Sequence, residues 1–225
     1  MKILVLAAHP DDAEISIGGT LLTCNQNGDE VYLLNFTNGE PTPHGTVKKR
    51  LEEADAADRI LKIKERIVMD LPNRYLEDNI ENRQKVAEYI RQIRPDVVLV
   101  QTHTDQHPDH AAASELGTAA RFYAKLTKTD MRGEPYFPPK ILYYYTSHFK
   151  LIPQPTFVLP VEEEVFEYKI RAVEAYESQM NHRKRDVPDF LRTMGKYYGS
   201  RINRKYAEPF YTPEVIGINN IHSIL

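Results

Sequence analysis

Short, continuous apolar runs alternate along this chain with stretches whose apolar residues recur at helical spacing, and that alternation limits the fold more than any other feature. Residues 3–8 read ILVLAA, 31–36 VYLLNF, 67–69 IVM, 96–100 DVVLV and 140–145 KILYYY. Runs that are apolar on both faces suit parallel strands covered by helices on two sides. One helical stretch starts near residue 13, passes Gly18-Gly19 and ends near Gly28. Residues 47–62 carry Leu51, Ala54, Ala57, Ile60 and Leu61 on one face, and residues 79–93 carry Ile80, Val86, Ile90 and Ile93 before Pro95 stops the helix. Residues 109–126 form a further helix. Strands alternating with helices predict βαβ units. The expected fold is therefore a Rossmann-like, three-layer α/β/α arrangement with a mostly parallel sheet of order about 3-2-1-4-5. Past Pro153 and Pro155 the composition shifts to a strand (TFVLP), a helix from about 161 to 180 and a basic, tyrosine-rich segment. The 225 residues are expected to form a single domain, with a core over 1–150 and a C-terminal strand, helices and small cap over 151–225.

That topology makes a geometric prediction about chemistry. His9-Pro10-Asp11-Asp12-Ala13-Glu14 follows the first strand directly, and His103-Thr104-Asp105-Gln106-His107-Pro108-Asp109-His110 follows the fourth. In a 3-2-1-4-5 sheet those strands are neighbours whose helices leave on opposite faces, so a crevice opens at their carboxyl ends, where ligands bind. The two loops together hold His9, His103, His107 and His110 with Asp11, Asp12, Glu14, Asp105 and Asp109. Packed acids repel one another and hold their protons unless a cation intervenes. Imidazole plus carboxylate without thiol suits zinc best, with iron, cobalt or nickel as alternatives. Two histidines and one carboxylate would leave coordination positions open, the pattern of a catalytic site. Each residue taken singly has a plainer role: Asp11, Asp12 or Asp109 as a helix cap, any one histidine as a hydrogen-bonded loop residue. Their joint occurrence at two strand ends that meet favours the site.

Composition narrows the partners. Twenty-nine basic against thirty-two acidic residues give a net charge of −3, which offers no bulk attraction for nucleic acid or an anionic membrane. A small-molecule substrate is expected instead. The single cysteine, Cys24, excludes an internal disulfide and is read as packing on the first helix. No stretch approaches the ~18 apolar residues of a membrane span, and the N-terminal apolar run is too short for a signal peptide; a cytoplasmic location is expected.

The residues Ala8-His9-Pro10-Asp11-Asp12-Ala13-Glu14 with Gly18-Gly19, and His107-Pro108-Asp109-His110, resemble the two motifs of the LmbE-like, or PIG-L-type, de-N-acetylases. Thr37-Asn38-Gly39-Glu40 matches a turn often found in that family. Leu71-Pro72-Asn73-Arg74, Ala175-Tyr176-Glu177-Ser178-Gln179 and Tyr206-Ala207-Glu208-Pro209-Phe210 look like segments of the bacillithiol-pathway N-acetylglucosaminyl-malate deacetylases. The resemblance implies zinc held by His9, Asp12 and His110, with Asp11 as general base. It implies that His107 polarises the substrate carbonyl or protonates the leaving amine, and that Asp109 orients His107. It also implies an N-acetylated sugar substrate and a homo-oligomer, trimeric or hexameric. Arg74, Glu14, Asp105 and His148 are further candidates for substrate contact. His44 lies in a Pro-rich turn that would wall the pocket, His182 and His222 are read as surface residues, and the tyrosines at 143–145 as strand packing. Three other readings compete. A zinc amidase would act on a different N-acyl group, such as a mycothiol-type conjugate. A non-catalytic nucleotide-binding domain would need a glycine-rich loop where this chain has acids that repel phosphate. A structural zinc module would want four closed ligands, often cysteines.

Overall fold

The computed structural model describes residues 1–146, 153–182, 186–218 and 220. The elements run β1 (Lys2–Ala7), α1 (Asp12–Gln26), β2 (Glu30–Asn35), α2 (Val47–Leu61), β3 (Glu65–Val68), α3 (Ile80–Ile93) and β4 (Val97–Gln101). They continue with α4 (Pro108–Ala124), β5 (Lys140–Tyr144), β6 (Phe157–Val161), α5 (Glu163–Glu174), α6 (Glu177–Met180), α7 (Val187–Ser200) and β7 (Tyr206–Tyr211). The sheet order is β3-β2-β1-β4-β5-β7-β6. The first five strands are parallel, and β7 is antiparallel to both β5 and β6.

The continuous apolar run of β1 splits between two layers by the two-residue period of a strand. Leu4, Leu6 and Ala8 join Val86, Ile90, Leu116 and Ala120 on the α3–α4 side. Ile3 and Val5 join Ala13, Ile17 and Leu21 of α1 on the other. A third cluster packs α2 against the C-terminal helices through Ala54, Ala57, Leu61, Phe166, Ile170, Val173 and Leu191. The segment expected as a cap thus adds two strands to the sheet and a helical layer over α1 and α2. Thr46 caps α2, accepting a hydrogen bond from the Lys49 amide at 3.2 Å, and Asn79 caps α3 through the Asn82 amide at 2.9 Å. Gly117 lets α4 lie close on the sheet: a Cβ there would meet Val100 Cγ2 at 2.8 Å and Leu6 Cδ1 at 2.9 Å. That close seat fixes where the start of α4 arrives beside β1. Tyr144 donates to the Leu6 carbonyl at 2.8 Å, and Tyr143 and Tyr145 are likewise buried, so these rings serve the strand and its packing. No helix among the described residues is long and apolar enough to cross a membrane.

Candidate active site

β1 and β4 pair in parallel, Leu6 opposite Val100, and the loops after them line one cavity of about 410 Å³. His9, Asp11, Asp12, Arg50, Arg74, His107 and His110 all face it. The β1 loop turns abruptly at Asp11, whose φ of 108° lies in the left-handed region. Aspartate tolerates that region better than most residues, and sparsely populated backbone conformations gather at functional sites.

His9 and His110 flank Asp12 from opposite sides. His9 Nδ1 is 3.3 Å from Asp12 Oδ2 and His110 Nε2 is 3.2 Å from Asp12 Oδ1. The far nitrogen of each ring meets another carboxylate. His9 Nε2 donates to Asp109 Oδ2 at 3.0 Å, and His110 Nδ1 lies 3.1 Å from Asp105 Oδ2. The ligand atoms of His9, Asp12 and His110 all lie within 4.8 Å of one another, and all three residues are buried. One nitrogen aimed inward with the other held by a carboxylate is how metal-binding imidazoles are oriented. The donor set therefore fits a divalent ion of the zinc type. Asp12 is itself braced: Gln101 Nε2 donates to its Oδ2 at 3.1 Å, the His9 amide donates to the same oxygen at 2.8 Å, and Ser16 Oγ donates to its carbonyl at 2.6 Å.

Charge explains the cluster. Burial alone would raise the Asp12 carboxyl, but the imidazoles of His110 and His9 outweigh it and hold the group well below the usual carboxylate range. Burial likewise opposes charge on His9 and His110; their carboxylate neighbours win and raise them to about 9 and about 10. Three carboxylates around two imidazoles thus gather positive charge at one point. His107 moves the other way. Burial, and then the His110 and His9 rings, lower it, and its ring stacks on His110 at 4.5 Å. His107 is also the N-cap of α4: its Nδ1 accepts from the Asp109 amide at 3.2 Å. An accepting Nδ1 places the proton of the neutral ring on Nε2, so His107 is a hydrogen-bond donor at its other end.

Several expectations are redrawn here. Asp109 does not reach back to orient His107 with its carboxylate, which instead binds His9 and the Arg74 and Leu76 amides at 2.7 and 3.3 Å; its link to His107 is through the main chain. Asp105 does not line the cavity; it holds His110 and accepts from the His107 amide at 2.8 Å. Glu14 is fully buried and does not reach the cavity either, because Arg66 Nη2 at 2.5 Å and the Tyr176 hydroxyl at 2.7 Å occupy Glu14 Oε1. Arg74 stands at the rim with a left-handed φ of 71° and donates to the Pro41 carbonyl at 2.8 Å. His103 faces a separate cleft beside Tyr211. His44 and His182 stack at 3.8 Å. His148, His222 and the run Arg183-Lys184-Arg185 lie outside the described residues. Sequence reasoning does not single out Arg50: it sits on α2, is buried, and holds Nη2 3.6 Å from Asp11 Oδ2, while its Nε and Nη1 have no hydrogen-bond partner among the described residues. Nothing in the pattern of α2 separates it from the lysines at 48 and 49. Gln101 and Thr146 escape notice for the same reason, being single polar residues at strand ends.

Comparison with known proteins agrees with this geometry. Residues 4–121 match the family model described as PIG-L, GlcNAc-PI de-N-acetylase. The chain is 32% identical to the diacetylchitobiose deacetylase of Thermococcus kodakarensis over 223 residues, covering 92% of this chain and 81% of the relative. Its fold superposes on the conserved protein TT1542 of Thermus thermophilus with a TM-score of 0.89, at 35% identity and 96% coverage of each. The same fold occurs in the 4-carboxy-2-hydroxymuconate hydratase of Pseudomonas putida KT2440, TM-score 0.80 at 19% identity, covering 98% of this chain and 99% of the hydratase. Fold alone therefore does not fix the reaction; the family match carries the assignment. The chain belongs to the PIG-L family of de-N-acetylases.

Proposed function

We propose that this protein hydrolyses the acetamide of an N-acetylated amino-sugar conjugate, releasing acetate and a free amine, with zinc held by His9, Asp12 and His110. The carrying observation is the paired orientation of the two imidazoles, each with one nitrogen on Asp12 and the other fixed by its own carboxylate. A divalent ion bound there would supply Lewis acidity and would lower the pKa of water to around 7.

The remaining work falls to the chain's own groups. Asp11 sits beside Asp12 on a turn that points its carboxylate into the cavity, where it accepts the proton of the attacking water. Arg50, which lines the same cavity, holds its Nη2 3.6 Å from that carboxylate and helps to orient it. Water oxygen bonds to the acetyl carbon, and the carbonyl π electrons move to oxygen. The Nε2–H of His107 then binds that oxygen, an interaction commonly worth about 3 kcal/mol of transition-state stabilisation; its accepting Nδ1 supports this role. The C–N bond then breaks as the nitrogen takes from Asp11 the proton that Asp11 accepted from the water. The cavity suits one sugar ring with its substituent, in the range of about 300–1,000 Å³ for small-molecule sites. Arg50 and Arg74 offer guanidinium donors to hydroxyls or to an anionic aglycone. The segments at 71–74, 175–179 and 206–210 favour N-acetylglucosaminyl-malate as that conjugate.

Amine release from N-acetylglucosaminyl-malate, diacetylchitobiose and N-acetylglucosamine, with metal analysis of the same samples, tests the reading. Asp11→Ala is expected to retain metal and lose about 10²–10⁴-fold in turnover; His110→Ala is expected to lose the metal. A fully active Asp11→Ala protein sinks the proposed base. Preference for an unrelated N-acyl amide would transfer the activity to the amidase reading.

A further inference from the structure

Helix α1 is broken where the active site needs it to be stiff. Ile17 adopts φ −133° and ψ 18°, outside the helical region, five residues after Asp12. An unbroken helix would bond the Thr20 amide to the Ser16 carbonyl. Two buried side chains stand in that gap instead. The Thr20 amide donates to Glu208 Oε2 at 2.7 Å, and the Gly19 amide to Oε1 at 3.0 Å. The freed Ser16 carbonyl accepts from Lys169 Nζ at 3.0 Å. Lys169 Nζ and Glu208 Oε1 close the circuit at 2.6 Å, with side-chain exposures of 3% and 2%. A side chain inserted into the i→i−4 ladder is a recognised cause of a kink; here an ion pair from α5 and β7 fills it. The two glycines make room, since a Cβ on Gly18 would meet Lys169 Cγ at 3.1 Å and one on Gly19 would meet Val161 Cγ1 at 2.7 Å.

Burying both charges is costly, and a continuous helix would satisfy the same amides without them. What the break provides is a separate first turn. Residues 12–16 carry Asp12, and Ser16 Oγ ties that turn to the Asp12 carbonyl at 2.6 Å and to Thr146 Oγ1 at 3.2 Å. We infer that Lys169 and Glu208 are positioning residues: by holding the carbonyl end of the first turn and the amide end of the second, they set the angle at which Asp12 meets His9 and His110. Neither residue lines the catalytic cavity. Both lie beyond residues 4–121, the part that matches the family model. The C-terminal segment thereby acts on the metal site from behind.

This inference rests on the metal reading of His9, Asp12 and His110, so the wild-type protein is measured first. Cobalt(II) binding is followed by competition with a chelating dye and by the visible d–d spectrum, beside deacetylase turnover. Absence of cobalt binding by the wild type overturns the metal reading itself. Glu208→Gln keeps the volume and one acceptor oxygen; Lys169→Met keeps the chain length without the donor. If the inference holds, each variant that retains wild-type circular dichroism binds cobalt at least 10-fold more weakly, with a shifted d–d band. Its kcat falls while KM changes little. A purely structural pair lowers the melting temperature alone; wild-type cobalt affinity and spectrum in folded Glu208→Gln overturn the proposal. Should Glu208→Gln fail to fold, Lys169→Met carries the same readouts, and Glu208→Asp, which keeps the charge, is expected to recover most of the affinity if Lys169 must be paired.

Discussion

Asp105 and Asp109 share one loop but hold different imidazoles, and the difference is measurable. Removing a carboxylate behind a metal-binding histidine commonly costs 10–100-fold in metal affinity. Asp105→Ala is expected to weaken the ion through His110, and Asp109→Ala through His9, each by about that factor in a chelator competition. Asp109→Ala also frees the Arg74 and Leu76 amides, so it alone should raise KM by loosening the cavity rim. Equal KM values in the two variants contradict the assignment. Cys24 behaves oppositely to a reactive thiol: burial, followed by the Asp29 and Glu208 charges, raises it to about 11 from a usual value of 9.0. The sign is that of an acid made weaker by folding, so its contribution favours the native state below pH 9 and is lost as pH rises through 11. At pH 8 the native thiol should alkylate about 100-fold more slowly than in denaturant from the thiolate fraction alone, as iodoacetamide labelling with mass detection would show. The convergence of the segments holding His9, Asp12 and His110 was legible in the sequence because they follow neighbouring strands, whereas their choice as ligands came from the family resemblance. Arg50 was hidden, since burial of a charged side chain mid-helix leaves no mark on the pattern around it.

Helix α4 begins with a ring that faces the cavity. His107 Nδ1 satisfies the Asp109 amide, and loss of a cap typically costs about 1 kcal/mol. His107→Asn, able to cap but too short to reach a substrate oxygen, should keep the thermal midpoint and lose about 10²–10³-fold in kcat. His107→Leu should lose both, which calorimetry beside steady-state rates would separate. An Asn variant that melts early argues that the ring packs rather than caps. Legibility also varied by element. Strands β1 and β4 were readable as continuous apolar runs, β2, β3 and β5 from the apolar residues they carry, and α2 and α3 because their stripes are regular. Strand β7 was not, because its core position at Glu208 is charged and its next residue is Pro209. Helix α7 was obscured by small residues where a stripe should be. A Cβ on Gly195 would come within 2.6 Å of the Phe166 ring, and one on Gly199 within 2.7 Å of the Arg204 carbonyl; close packing demands glycine at the positions where periodicity demands a large side chain.

At the scale of the molecule, every described residue lining the cavity lies at or before Gln179, yet the sheet is completed from farther on. A chain stopped after Arg201 keeps the entire cavity lining and lacks β7. Without β7, β6 has no partner in the sheet and α1 loses Glu208. Such a chain is expected to show no cooperative thermal transition and rapid proteolysis; a folded, metal-binding product would contradict that. The order β5-β7-β6 carries a further consequence for biosynthesis. β7 is inserted between two strands made earlier, so the sheet has an open slot until it arrives. Until residues 206–211 emerge, β5 and β6 present unpaired edges of the kind that recruit neighbouring chains. The arrival of β7, rather than the making of the cavity loops, sets when those edges are covered and the enzyme is protected from aggregation.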